Sequence, residues 1–339
     1  MEWIFKNVKD EPFEIGGILH PDKNYGEYYR LDASKKDIYS DANSGLAHHT
    51  SGGTVRFITD AKVICIKNKL RNVTIGMNHF THRGVWGLDI LVGSGKEREY
   101  CGKIMQTFAD NTEVNINEVD LPEGEKEVLI YMPLYAGIED IEVGFAEGDT
   151  VKAPAPRTNA PIAFYGSSIT QGGCASRAGT AFANIVCRHF DADCINLGFS
   201  GSAFGEQSVA EYMTTRDIGL FVMDYDFNAR SLEELETTHY PFYKTFRNAH
   251  PDVPVLMCTH PYCWPTSEND LRRIEIINET YRRALDEGDE NVYFLDGREY
   301  FPKEMSDLCF VDYLHPNDLG MYFMAKKLIA RIEEILAEK

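Results

Sequence analysis

The sequence predicts an α/β protein in which a parallel sheet, covered by helices on both faces, follows an all-β sandwich. Three observations carry this. The first part of the chain shows short alternating runs between turn residues. A proline-rich stretch then interrupts the pattern. Beyond it, compact apolar runs alternate with helical periodicity. At 339 residues the chain is longer than one typical domain. The expected organisation is a β-sandwich over residues 1–151, a linker over 152–160 and an α/β unit over 161–339.

In the first part, Thr54–Thr59 (TVRFIT), Lys62–Lys67 (KVICIK), Thr112–Val119 (TEVNINEV) and Glu127–Met132 (EVLIYM) alternate in hydropathy. Such runs between Gly and Asn/Asp breaks suit half-buried antiparallel strands. The segment KAPAPRTNAP that follows holds three prolines before Ile162, so it can be neither helix nor central strand. After it, apolar runs at Ile162–Tyr165, Cys194–Leu197, Leu220–Met223, Val255–Cys258 and Val292–Leu295 predict five buried parallel strands. Between and after them lie amphipathic helices. In one, Leu271, Ile274, Ile277, Tyr281 and Ala284 share a face. In the last, Met321, Met324, Leu328, Ile332 and Ile335 do so after an Asn317 cap.

Composition limits the partners. The net charge of −19 is spread along the chain and repels phosphate backbones and anionic lipid, so no nucleic acid and no membrane partner is expected. No run of about 18 apolar residues occurs. The N-terminus lacks a basic start followed by an apolar stretch. The eight cysteines are scattered, which fits free thiols and a cytoplasmic location. Cys258, His260 and Cys263 lie close in sequence, but no second cluster at ligand spacing accompanies them, so no metal and no cofactor is expected.

In a doubly wound sheet, ligands bind beyond the carboxyl ends of the strands. Four candidate blocks sit there. Ser168 follows the first run within Gly166-Ser-Ser-Ile-Thr-Gln-Gly172; a simple turn or phosphate-cradling loop would look similar, although the lysine of a P-loop is absent. Asn196-Leu-Gly-Phe-Ser-Gly201 follows the second, where the Gly201 amide can donate to an oxyanion or merely serve a tight turn. Asp224-Tyr-Asp-Phe-Asn228 follows the third. Asn228 offers a neutral amide donor, or a cap. Asp312-Tyr-Leu-His315 follows the fifth, with spacing that lets a carboxylate orient an imidazole, or lets a helix begin.

In this order the four blocks resemble those of SGNH/GDSL hydrolases over about Pro161 to Lys339. The resemblance implies a flavodoxin-like sheet and a serine esterase. Ser168 would be the nucleophile, His315 its base and Asp312 the orienting carboxylate. The amides of Ser168 and Gly201 and the Asn228 side chain would form the oxyanion hole. Ser167 stands where the family usually has an acidic residue, and Asp226 where it usually has glycine. Tyr28-Tyr-Arg-Leu-Asp32 and Leu46-Ala-His-His-Thr-Ser-Gly-Gly-Thr-Val-Arg-Phe57 resemble the sandwich, jelly-roll-like, that precedes a bacterial subgroup of these enzymes. That subgroup implies deacetylation of a carbohydrate, with an acetylated oligosaccharide as the small-molecule partner. The competing functions are a lipid or thioester hydrolase and a carbohydrate-binding protein on an inactive scaffold. His260 and Trp264 are candidate substrate contacts, with ordinary packing as the alternative. His48, His49, His79 and His82 are expected at the surface or in the cleft.

Overall fold

The computed structural model describes residues 2–71, 77–104, 114–262 and 267–338. The N-terminal part is built from β1 (Ile4–Asn7), β2 (Glu14–Gly16), β3 (Thr54–Thr59), β4 (Val63–Arg71), β5 (Leu88–Val92), β6 (Glu99–Ile104), β7 (Asn115–Asp120), β8 (Lys126–Tyr131), β9 (Gly137–Phe145) and β10 (Val151–Lys152). They form two antiparallel sheets, ordered β1-β9-β4-β7 and β10-β3-β8-β5-β6, with β2 added against β3. The sheets meet through their inward side chains. Phe57 of β3 meets Phe145 of β9 edge-on, ring centroids 5.8 Å apart. The run expected over Thr112–Val119 forms β7, although residues 112 and 113 lie outside the described part.

The C-terminal sheet comprises β11 (Ile162–Gly166), β12 (Cys194–Gly198), β13 (Leu220–Asp224), β14 (Val255–Cys258) and β15 (Val292–Leu295). All pairings are parallel, in the order β12-β11-β13-β14-β15. Its two faces follow the two-residue period of a strand. Phe164, Val222 and Leu256 pack with α4 (Phe182–His189) and α8 (Asp318–Ala337). Tyr165, Phe221, Met223 and Met257 pack instead with α5 (Gln207–Met213), α6 (Leu232–Ala249) and α7 (Glu268–Asp286). Burial on both faces explains why these strands are continuous apolar runs rather than alternating ones.

The helix signals act as expected at α8, where Asn317 Oδ1 accepts the amides of Leu319 and Gly320 at 3.0 and 3.2 Å. Helix α7 begins at Glu268 behind a Ser267–Asp270 capping box. Leu271 departs from the expected apolar face and is exposed, while Ile274 and Ile277 are buried.

The segment between the two parts is pinned along its length. Lys152 pairs with Ile58, and the Ala155 carbonyl accepts Arg56 at 3.0 Å. Arg157 reaches Asp191 and Asp193, both at 3.1 Å. Arg98 joins Glu127 at 2.6 Å to the same Asp191 at 3.0 Å. Arg56, on the outward face of β3, is only 2% exposed because Glu14 and Glu127 pair with it beneath this segment. One continuous apolar cluster runs from Val55, Ile130 and Phe145 of the sandwich to Phe164, Phe182 and Met324.

Candidate active site

The strand order reverses around β11, whose neighbours are β12 on one side and β13 on the other. In such sheets the carboxyl ends beside this reversal are where ligands bind. At the end of β11, Ser167 caps a single helical turn, α3 (Ser168–Gln171), by accepting the Ile169 amide at 3.2 Å. Ser168 is the first residue of this turn, so its amide is left over by helix geometry. The end of β12 approaches α3 so closely that a Cβ on Gly198 would lie 2.2 Å from the Gln171 nitrogen. Gly201 needs glycine for a different reason: its φ is +64°. The amides of Ser168 and Gly201 make no hydrogen bond among the described residues.

His315 arrives from the loop before α8. Its Nε2 lies 2.9 Å from Ser168 Oγ, and its Nδ1 lies 3.0 Å from Asp312 Oδ2. Asp312 Oδ1 accepts the backbone amides of Leu314 and His315 at 2.7 and 2.6 Å. Burial opposes ionisation of Asp312, but the His315 ring and these two amides outweigh it and hold the carboxyl at about 2. A carboxylate facing Nδ1 fixes the proton there, which leaves Nε2 as acceptor for the Ser168 hydroxyl. Asn228 is set by one of its Nδ2 hydrogens, donated to the Phe199 carbonyl at 3.0 Å. This ties the loop after β13 to the loop after β12.

Several residues around this centre were not singled out from the sequence. Gln171 Oε1 accepts the Ser200 amide at 3.0 Å, and its Nε2 donates to the Leu134 carbonyl at 3.1 Å. The sandwich side supplies more. Tyr135 donates its hydroxyl to the Ser168 carbonyl at 2.9 Å, and Ser51 donates to the Gln171 carbonyl at 2.6 Å. Fully buried Arg30 donates from Nη1 to the carbonyls of Asn196 and Gly198, at 2.9 and 2.6 Å, and from Nη2 to Leu46 at 2.8 Å. Burial pulls its guanidinium down to about 9. Arg30 belongs to the YYRLD motif, the signal that could have found it.

Of the four histidines expected at the surface or in the cleft, His79 comes to the centre, its ring 4.8 Å from that of His315. His49 Nδ1 lies 3.0 Å from Gln171 Nε2. His48 packs against Tyr29, and His82 against Trp86. His260 is 1% exposed, its ring stacked on that of Phe227 with the centroids 3.8 Å apart. Burial, then the charges of His315 and Arg273, push its imidazole down to about 3. Trp264 lies outside the described residues. Asp226, the departure from glycine, braces the surrounding backbone. Its carboxylate accepts the His260 amide at 3.1 Å, and Arg273 donates to its carbonyl.

Asp224, at the end of β13, faces Thr170 Oγ1 at 3.2 Å. Burial, reinforced by Asp226, pushes its carboxyl up to about 8. Unfolded, that carboxyl would lose its proton near 3.8. The folded chain therefore holds an extra proton between these values, and stability falls as pH rises from about 4 to about 8. Asp224→Asn should flatten this slope. Thermal unfolding at about pH 5 and about pH 9 should show the variant gaining on the wild type at the higher pH; an equal offset at both would refute it.

The model of the GDSL-like lipase/acylhydrolase family matches residues 159–333. The chain belongs to that family. Residues 3–151 match the model for the N-terminus of SGNH-hydrolase-type esterases. This GDSL-like hydrolase is similar in structure to a protein from Bacteroides ovatus described as a GDSL-like lipase, with 26% identity, TM-score 0.87 and coverage of 99% of this chain and 98% of that one. It is similar in fold to the salicylyl-acyltransferase SsfX3 of a tetracycline biosynthetic pathway, at 17% identity and TM-score 0.83, covering 98% and 97% of the two chains. It also shares its fold with a family two carbohydrate esterase from Clostridium thermocellum, determined with cellohexaose, at 18% identity and TM-score 0.61, covering 85% and 93%. No curated protein matches it in sequence. Family membership makes the chain an ester hydrolase of the SGNH class. Among the described residues no helix is long and apolar enough to cross a membrane, and seven cysteines are free.

Proposed function

We propose that this hydrolase removes a short acyl group, acetyl, from a neutral carbohydrate through an acyl-enzyme on Ser168. The observation that carries the proposal is the unbroken relay from Ser168 Oγ through His315 to Asp312, at 2.9 and 3.0 Å. As Ser168 Oγ attacks the ester carbonyl, its proton passes to His315 Nε2, and Asp312 stabilises the imidazolium. The carbonyl oxygen becomes an oxyanion. The unpaired amides of Ser168 and Gly201, with the second Nδ2 hydrogen of Asn228, are its donors. His315 then protonates the departing sugar oxygen. A water, deprotonated by His315, attacks the acyl-enzyme, and the proton returns to Ser168 as acetate leaves.

Two features favour a small acyl group on a sugar. Phe80 and Tyr135 pack 4.4 Å apart beside the nucleophile, with Phe80 6.2 Å from the His315 ring, which crowds the space a long chain would need. The likeness in fold to a carbohydrate esterase that binds cellohexaose points to the same substrate class. The test is acyl length. In a greasy tunnel each added methylene would gain about 0.8 kcal/mol, whereas a closed acetyl site rejects it. Catalytic efficiency should fall from acetyl to butyryl to octanoyl esters, and acetylated oligosaccharides should release acetate. Efficiency that climbs towards octanoyl would overturn the short-acyl reading in favour of a lipid or thioester substrate.

A further inference from the structure

His79, Cys174 and His315 come from three separate stretches of the chain, yet their ligand atoms all lie within 4.8 Å of one another. His79 precedes α2 (His82–Trp86), Cys174 follows the turn that ends α3, and His315 precedes α8. Nothing in the proposed hydrolysis uses the first two. His79 Nε2 is buried and has no hydrogen-bond partner among the described residues, an unusual cost for a polar atom. Cys174 is 5% exposed and held at φ +69°, a conformation that side chains other than glycine rarely adopt. Its thiol faces the His79 carbonyl at 3.6 Å, which keeps the sulfur beside the two rings.

We propose that these three residues form a regulatory site for a thiophilic divalent cation of the Zn2+ kind, and that its binding switches the esterase off. Two imidazole nitrogens and one sulfur are a donor set that suits zinc better than magnesium or calcium. In a tetrahedral zinc site the ligand atoms stand roughly 3.3–3.8 Å apart, so the cluster must contract by about 1 Å. Cys174 and His79 both sit on connecting segments, where such a shift is easiest. The outer partner that a ligating histidine needs is already present, because Asp312 holds His315 Nδ1 at 3.0 Å and turns Nε2 inward. A water or Ser168 Oγ completes four-coordination. The net charge of −19 favours cations in general.

On binding, Cys174 gives its thiol proton to solvent and ligates as thiolate. His79 and His315 bind through neutral nitrogens. His315 Nε2 now donates its lone pair to the cation, so the Ser168 hydroxyl has no acceptor for its proton. Inhibition rests on the reading of His315 as base, but cation binding does not.

The test therefore has two arms. In the first, ester hydrolysis is followed against free Zn2+ held by a chelator buffer. Wild-type turnover should fall at least about tenfold in the micromolar range and return with excess chelator, while Cys174→Ser and His79→Gln should each need about tenfold more zinc or beyond. In the second arm, Co2+ is added to the Ser168→Ala protein, which needs no activity. A thiolate-to-cobalt charge-transfer band should appear and should vanish when Cys174→Ser is added. Equal zinc sensitivity in all three proteins, full activity in micromolar zinc, or no cobalt band would each overturn the proposal. A cobalt band in a chain whose wild type hydrolyses no ester would leave the site standing and defeat the esterase reading instead.

Discussion

Ser168→Ala should reduce ester hydrolysis by at least about a thousandfold, with the fold and thermal stability preserved. In serine hydrolases with this relay, loss of the nucleophile removes on the order of a millionfold from turnover, because attack, acyl transfer and deacylation all pass through that oxygen. The substitution deletes one hydroxyl whose partner is His315 Nε2 at 2.9 Å, so little packing is lost. Ser167→Ala is the control. Its hydroxyl caps α3 through the Ile169 amide, so it should cost a fraction of the activity and about 1 kcal/mol of stability. Turnover of Ser168→Ala above about one hundredth of wild type would exclude Ser168 as nucleophile.

Comparable losses are expected at His315. His315→Ala removes the acceptor for the serine proton and the donor to the leaving alcohol. Turnover should fall by about a thousandfold or more, with little change in substrate affinity. Asp312→Asn probes the same relay from behind. An amide in place of the carboxylate leaves the shape intact but lets the ring settle in the tautomer that points a proton at Ser168, a change worth on the order of ten-thousandfold in related relays. Burst kinetics with a chromogenic acetyl ester would read both variants. If Asp312→Asn kept most of the wild-type rate, the His315 tautomer would have to be fixed by some other group.

Much of this was legible in the sequence, for reasons that can be named. The five strands from Ile162 to Leu295 are uninterrupted apolar runs because the sheet is covered on both faces, and that pattern is local. The blocks at Ser168, Asn196 and Asp224 are legible because each lies at the end of a strand, and the Asp312–His315 pair by its spacing alone. Asn317 is legible because a cap needs only its own next three residues. What escaped depends on contacts between the two halves. The Arg30 bonds to Asn196 and Gly198 span 166 and 168 residues, and that of Tyr135 to Ser168 spans 33 across two different folds. No periodicity announces such pairs. His260 follows a strand at the catalytic rim, but its stacking on Phe227 could not be read from that position. Sequence position gives the rim but not the direction of the side chain. Leu271 fails in a related way: its neighbour Asp270 is buried in the same first turn of α7, and Leu271 points off that face.

The proline-rich stretch between the two halves has the composition of a hinge, but it is stitched down as a seam. Arg56, Arg98 and Arg157 bind it and its surroundings to Glu127, Asp191 and Asp193, and Arg30 penetrates the strand end that carries Gly198. Swinging the halves apart would strip Arg98 of Asp191 and buried Arg30 of the Asn196 and Gly198 carbonyls, and lost partners at buried guanidinium groups are costly. Substrate must therefore enter over side chains and loops, with the two halves moving as a block. The hydrolase half is also not a portable module. A graft of residues 161–339 onto another scaffold would bring Ser168 but leave behind Arg30 and Tyr135, which bond to the Gly198 and Ser168 carbonyls.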